Sequence, residues 1–579
     1  MKQGKFGSIF AAALAFMLTG ASPASAATQT DLEFGLNSPS GNYLVGVFAS
    51  KLRDTDIAAK YLGRALSDDP DNRNLVERAF ILSLSSGYID RAEALAERVV
   101  RYNKRHRMSH IVLGLREARK KRFETAREHF KQAGYTPVGE LTSALLAAWS
   151  FAAQGKVTET FKALDTLDKN DAFGNFKLFH GALIADFLGQ PSRADQTYKQ
   201  AYEQAGTTLR VVQSYGNYLH RAGRNDEASE VFKKYLNSSR RSPLVQVALD
   251  KLNNKQTPGK FISSAAEGMA ESMFSIASAL SDEQNIDVSL IYVQLALSMR
   301  SDFDVARVLL GEIYEDTKRH GKAVETFQSV PASSPLKDNA EIQAAVNLDH
   351  LERTDEAINA LNAFVARNPK HFDANVTLGN IQRSHEKWED AIVSYSRAID
   401  VVPEIKENHW ILMYFRGIAH ERAKKWELAE PDFLKALELK PEQPAVLNYL
   451  GYSWIEKGLN LKKAIGMVAK AVELRPNDGY IVDSLGWAHY QLGEFEDAVK
   501  HLERAVELRP EDPVINDHLG DAYWRVGRKL EAKFQWRHAK DNKPIEKDLK
   551  IIEEKLLKGM PDLEEPAPSA NGSQPPSKS

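Results

Sequence analysis

At 579 residues the chain is too long for one compact core, so several domains or a repeat array is expected. Lys+Arg number 76 and Asp+Glu 78, a formal charge of −2, which excludes a dedicated nucleic-acid binder and a membrane-surface polycation. There is no cysteine, so disulfides, thiolate chemistry and a lipidated-cysteine tether are excluded too.

At the N-terminus, Lys2 and Lys5 precede an apolar run from Ile9 to Leu18, and Ala24-Ser25-Ala26 has the small-x-small pattern a signal peptidase accepts. The run is short for a bilayer span, so residues 1–26 read as a cleaved secretory signal. The mature chain is then expected to be exported and periplasmic, soluble or peripherally held at the envelope, with no integral membrane segment.

Residues 27–240 carry worn copies of one helix-pair unit. Gly46, Ala58, Leu62 and Ala65 make one, and Gly114, Ala126, Phe130 and Ala133 another. Gly181, Ala194, Tyr198 and Ala201 make a third, and Gly216, Ala228, Phe232 and Tyr235 a fourth. Leu75–Tyr102 and Glu140–Asp168 keep helical periodicity with fewer markers. Ten basic residues crowd this half: Arg98, Arg101, Lys104, Arg105, Arg107, Arg116, Arg119, Lys120, Lys121 and Arg122, with Glu117 opposing them. The cluster would suit an anionic partner, but a solvated convex face is the favoured reading. Over residues 241–300 the pattern loses register. Asn253–Gly259 is polar and a helical pair resumes at Ala265–Met299, so this stretch is expected to be an irregular helical connector between two sub-arrays.

Residues 301–544 repeat more strictly. Leu310-Gly311, Leu378-Gly379, Leu450-Gly451, Leu485-Gly486 and Leu519-Gly520 recur, with Ala344-Ala345 and Arg416-Gly417 as looser copies. Pro335, Pro369, Pro403, Pro441, Pro476, Pro510 and Pro544 follow at separations of 34, 34, 38, 35, 34 and 34 residues. The small residue lets two helices approach closely, and the proline cannot continue a helix, so it punctuates the unit. Ala323, Ala357, Ala391, Ala429, Ala464, Ala498 and Ala532 supply the small residue of the second helix. Phe327, Leu361, Tyr395, Phe433, Val468, Leu502 and Trp536 are expected to fill the space between neighbouring pairs. Residues 545–558 form a capping helix with apolar Ile545, Leu549, Ile552, Leu556 and Leu557, and residues 559–579, rich in Pro and Ser, are expected to be disordered.

This ladder resembles the tetratricopeptide repeat (TPR), whose period is about 34 residues. The resemblance implies an all-α solenoid of helix pairs, a right-handed superhelix in two sub-arrays closed by the C-terminal cap. It also implies a concave groove lined by the second, fifth, ninth, twelfth and thirteenth positions of each first helix. In the last repeats those are Asn448, Tyr452, Tyr480, Asp483, Trp487, Tyr490, Asp517, Asp521, Trp524 and Arg525. Rings interleaved with carboxylates and amides suit an extended peptide, although Trp487 and Trp524 could instead be packing residues.

Asn448-Tyr449-Leu450-Gly451-Tyr452, Asp483-Ser484-Leu485-Gly486-Trp487 and His518-Leu519-Gly520-Asp521-Ala522-Tyr523-Trp524 resemble the C-terminal repeats of proteobacterial envelope TPR lipoproteins. Some of those recruit a processing protease and its cell-wall hydrolase substrates, so the resemblance implies partners of that kind. No lipobox cysteine follows the signal here.

Few residues carry the spacing of a chemical site. Asp483, His489, Asp517, His518 and Asp521 lack the spacing of a facing ligand pair and read as solvated helix surface. Ser484 beside Asp483 and His518 has no strained elbow or oxyanion nest to make it a nucleophile. The expectation is therefore a non-enzymatic scaffold or adaptor of the bacterial envelope, with no cofactor or metal. The other reading is a structural part of an envelope polysaccharide or secretion assembly, touching its partner through the basic cluster.

Overall fold

The computed structural model describes residues 38–238, 242–282 and 284–561. The signal at 1–26 and nearly all of the 559–579 tail lie outside the described residues. Among those described, thirty α-helices run from Pro39–Lys51 to Glu546–Lys558 with no strand, and no helix is long and apolar enough to cross a membrane. The chain divides into two units, the first ending at Ala357 and the second beginning at Ile358.

The regular pairs are closed by the same contact. A Cβ at Gly114 would lie 2.3 Å from the ring of Phe130, at Gly216 2.2 Å from Phe232, at Gly379 2.8 Å from Tyr395, and at Gly520 2.5 Å from Trp536. The partner is always sixteen residues on, or seventeen at Gly451 and Val468. These large side chains therefore close their own pair, and they also reach the next one as expected: ring centroids lie 6.2 Å apart for Tyr395 and Phe415 and 5.2 Å apart for Phe433 and Tyr449. Seven residues after the glycine position the chain reverses through a left-handed residue: Lys121 and Glu386 at φ 59°, Lys424 at 62°, Gly223 at 77°, Gly493 at 79°.

These two spacings show how the worn units work. In Gly174–Phe187 the turn glycine, Gly189, puts the register on Ala182 and not on Gly181. Tyr198 lies sixteen residues beyond Ala182, and a Cβ on Gly181 would meet nothing closer than Thr197 at 3.6 Å. In the pair Arg73–Ser85 and Ile89–Tyr102, Gly87 puts the register on Phe80, with Ala96 sixteen further on. Both are fully buried, so large and small have exchanged helices and the pair still closes.

The largest departure from the sequence reading lies between residues 241 and 300. Helices Ala265–Ala279 and Ile286–Met299 form a hairpin that leads onward to Asp304–Asp316 and also packs back against the first helices of the preceding pairs. Ala265–Ala279 lies on Pro137–Ala152 and Gly174–Phe187, and Ile286–Met299 on Arg73–Ser85 and Arg107–Arg119. Trp149 covers Gly268, where a Cβ would fall 2.3 Å from the indole. The Tyr292 and Thr142 hydroxyls meet at 2.8 Å, and Arg210 Nε donates to Glu271 Oε1 at 2.8 Å, with Glu271 fully buried. Thr142, Trp149 and Arg210 hold second and ninth positions, the ones that face a TPR groove. The concave face of unit 1 is thus filled by the protein's own chain. Across the opening, Lys322 pairs with Asp56 at 2.7 Å and Arg319 donates to Thr55, bringing helix His320–Gln328 onto the start of Thr55–Asp68.

Candidate functional site: the concave face of unit 2

In unit 2 the first helices are Phe372–Ser384, Trp410–Arg422, Pro444–Glu456, Gly479–Gln491 and Pro513–Arg525. The groove residues foreseen from register fall into two groups.

Asp517, Asp521, Trp524 and Arg525 are engaged by the C-terminal cap, Glu546–Lys558, and the three residues after it. Lys555 Nζ donates to Asp517 at 2.8 Å and to Asp521 at 2.7 Å, and the Trp536 indole donates to Asp521 at 2.9 Å. Burial works against the charge of Lys555, but the two carboxylates outweigh it and hold the ammonium above its ordinary pKa. The helix ends at Gly559, φ 72°, where any Cβ would lie 2.2 Å from the Trp524 ring. The main chain beyond it is held by both side chains. Trp524 Nε1 donates to the Met560 carbonyl at 3.1 Å and Arg525 to that of Pro561 at 2.7 Å. Residues 559–561, expected to be disordered, are pinned.

The second group lies one pair earlier. Trp487 stacks with Tyr490 (4.6 Å between centroids, 8° between planes) and with His518 (3.9 Å, 16°). His518 Nδ1 lies 3.0 Å from Asp483 Oδ1. Burial opposes the imidazolium, but Asp483, with Asp517 and Asp521 behind it, outweighs the burial and raises the pKa. Arg525 donates to the Tyr490 hydroxyl at 3.3 Å, tying the stack to the cap. Tyr480 is 52% exposed at the rim, and Asn448 donates to Ser484 Oγ at 3.2 Å. Tyr452 is half-buried, and burial together with nearby Glu456 raises its pKa.

Asp483 and Asp521 are therefore buried and paired, not solvated helix surface. Asp483 and His518 do meet, but the Ser484 hydroxyl donates to the Tyr480 carbonyl at 2.9 Å. One group went unnoticed in the sequence. His489, Glu494 and Asp497 place ligand atoms within 4.8 Å of one another at an exposed turn, where the 2.6 Å contact of His489 Nδ1 with Glu494 already accounts for their closeness. Its signal was a histidine near the end of one helix and carboxylates opening the next.

The basic cluster of unit 1 is partly neutralised, and not by Glu117 alone. Arg116 pairs with Glu97 at 2.8 Å and with Glu117 at 3.2 Å, Arg119 with Glu93, and Lys120 and Arg122 with Glu117. Glu117 is buried, which raises its pKa, but Arg116, Lys120 and Arg122 outweigh that and keep it ionised. Arg107 donates to Thr136, Arg98 to the Pro70 carbonyl, and Arg105 lies over the Tyr135 ring.

Comparison with known proteins agrees with the fold. Models described as tetratricopeptide repeat match residues 80–135, 343–404 and 376–444, and one described as TPR repeat matches 486–527. With the helix-pair architecture, these make the chain a tetratricopeptide-repeat protein, an all-α helical solenoid. A TPR repeat-containing protein of Pseudomonas aeruginosa is 24% identical over 200 residues, 34% of this chain and 33% of that one. A DnaJ homolog subfamily C member 7 homolog of Dictyostelium discoideum is 26% identical over 138 residues, 21% of this chain and 26% of that one. The chain thus matches about a third and about a quarter of the length of these curated relatives. A solved TPR protein from Parabacteroides merdae aligns with a TM-score of 0.38 at 14% identity, over 45% of this chain and 100% of that one.

Proposed function

We propose that the chain is a non-enzymatic protein-interaction scaffold of the bacterial cell envelope, holding an extended segment of a partner protein on the concave face of unit 2. The observation that carries this reading is the contrast between two grooves. In unit 1 the groove positions Thr142, Trp149 and Arg210 are satisfied by the hairpin 265–299. In unit 2 the stack of Trp487, Tyr490 and His518, with Tyr480 at the rim, is braced from beneath by Asp483 and Arg525. Rigid aromatic area with polar groups beside it is the composition of interaction hot spots. Ala24-Ser25-Ala26 supports export to the periplasm, which makes the partner an envelope protein. The polysaccharide reading rests on what is left of the basic cluster, since Glu93, Glu97 and Glu117 offset three of its ten charges.

A photo-crosslinking residue at Tyr480 or Trp487 in living cells, followed by mass spectrometry, tests this. Protein adducts are expected from those positions and not from Lys500, exposed on the second helix of the same pair. Equal adducts from Lys500 would overturn the groove as the docking face.

A further inference from the structure

In three pairs of unit 2, the side chains three and fifteen residues past the closing glycine face one another. In Phe372–Ser384 and Trp388–Asp400 they are Gln382 and Ser394, and the serine hydroxyl donates to Gln382 Oε1 at 2.7 Å. In Trp410–Arg422 and Trp426–Leu439 they are His420 and Asp432, whose Nε2 and Oδ2 lie 3.9 Å apart. In Gly479–Gln491 and Phe495–Leu508 they are two histidines, His489 and His501. Their rings lie parallel, with 5.3 Å between centroids and 6° between planes, so neither is the other's hydrogen-bond partner. We propose that His489 and His501, with the carboxylates of Glu494 and Asp497, form a binding site for one divalent transition metal of the zinc class. The metal would clip the end of the first helix to the start of the second, and the site stands independently of the groove reading above.

The donor set comes first. Zinc takes imidazole nitrogen and carboxylate oxygen in tetrahedral sets of four. His489, Glu494 and Asp497 place ligand atoms within 4.8 Å of one another. Zinc held about 2.0–2.1 Å from each donor would bring those atoms to roughly 3.3 Å, and exposed carboxylates can close the remaining gap by side-chain rotation.

Register supplies the fourth group. Asp497 and His501 are one turn apart on Phe495–Leu508, at i and i+4, so one helix face presents both to His489. That is the spacing of a facing ligand pair. Acidic first turns recur at Asn225–Asn237 and Trp388–Asp400, where they complement the helix dipole, so the carboxylates alone carry nothing. The facing histidines set this turn apart.

The third observation is unused capacity. The 2.6 Å contact of His489 Nδ1 with Glu494 explains the closeness of the first three groups, but it leaves His501 with no hydrogen bond among the described residues. A carboxylate on Nδ1 is also what orients a metal-bound histidine, because it fixes the tautomer that keeps the Nε2 lone pair for the ion. Burial, His489 and Lys500 outweigh Asp497 and lower the pKa of His501, so this ring is neutral at pH 7, the form a metal binds.

The test uses the full chain and zinc chloride alone, followed by isothermal titration calorimetry. One equivalent is expected to bind more tightly than any further zinc. His501→Gln and Asp497→Asn should each weaken that step at least tenfold. In an NMR titration the ring nitrogens of His489 and His501 should shift together over the first equivalent, with His518 unmoved. Calcium chloride in place of zinc should bind at least tenfold more weakly, since calcium takes oxygen donors. Should His501→Gln lose helicity, Asp497→Asn, whose side chain is exposed, is read in its place. No zinc uptake by the full chain, weakening of less than tenfold in the folded variant, or calcium bound as tightly as zinc overturns the proposal.

Discussion

Gly268 lies beneath the indole of Trp149, so close that a single methyl group there would sit 2.3 Å from the ring. Trp149 is fully buried and cannot swing away. Gly268→Ala is therefore expected to destabilise unit 1 by about 1–3 kcal/mol, the cost of overpacking a filled core. Amide exchange should rise across 137–152 and 265–299 and stay unchanged in 444–541. Unchanged exchange in 265–299 would mean that the hairpin is not held by this contact.

His518 should titrate above an ordinary histidine. Its folded pKa is raised, so the stabilisation is fully present below the unfolded value of about 6.5 and is lost as pH rises through the folded value. An NMR titration should show the elevated pKa, and Asp483→Asn should lower it. If Asp483→Asn leaves the His518 midpoint in place, the 3.0 Å contact is not what holds the proton.

His180 has the opposite sign. Fully buried against helix Ala265–Ala279, with Ser272 Oγ 3.4 Å from Nδ1, its pKa is pushed down by burial to about 3. The buried ion pair of Arg210 and Glu271 belongs to the same docked face. Below pH 6.5 the unfolded chain takes up a proton that the folded one refuses, so unit 1 should lose about 2–3 kcal/mol between pH 7 and pH 4.5. His180→Leu should flatten that slope, read by thermal melts at both pH values. An unaltered slope would place the acid sensitivity elsewhere.

Trp487 and Trp524 should behave differently. Trp524 is engaged by Gly559 and Met560, so Trp524→Ala should loosen the cap and raise exchange in 546–558. Trp487→Ala should leave the cap in place and weaken capture of the crosslinked partner by about 2 kcal/mol, roughly thirtyfold. Full capture by a folded Trp487→Ala protein would remove the stack as the anchor.

The helix pairs were legible because the glycine and its partner sixteen residues on are a local rule, repeated in register. Where that rule was met by substitution, the sequence misled: Ala182 stands in for Gly181, and Phe80 with Ala96 reverses the pair. The filling of the unit 1 groove was harder to see, because it depends on where a distant hairpin lands. The signal was present in Ile286–Met299, which is apolar nearly all round and so has no solvent face, the mark of a buried helix rather than an amphipathic repeat. Register assigned Trp524 and Arg525 to the groove, and both hold the main chain after the cap. Nothing in a repeat pattern shows that the cap would fold back onto them.

The hairpin also gives the two units different folding behaviour. In unit 2 the buried side chains form successive clusters, such as Met413 to Ala488 and Ala498 to Ile552, so each pair can form on its neighbour. In unit 1 a single cluster runs from Ala49 to Ala344, tied by Thr142 to Tyr292 across 150 residues and by Arg319 to Thr55 across 264. Such long loops must close before their contacts are gained, which slows folding and makes it all-or-none. Unit 2 should therefore reach its native state first and lose it piecemeal in denaturant, while unit 1 folds late and melts in a single step.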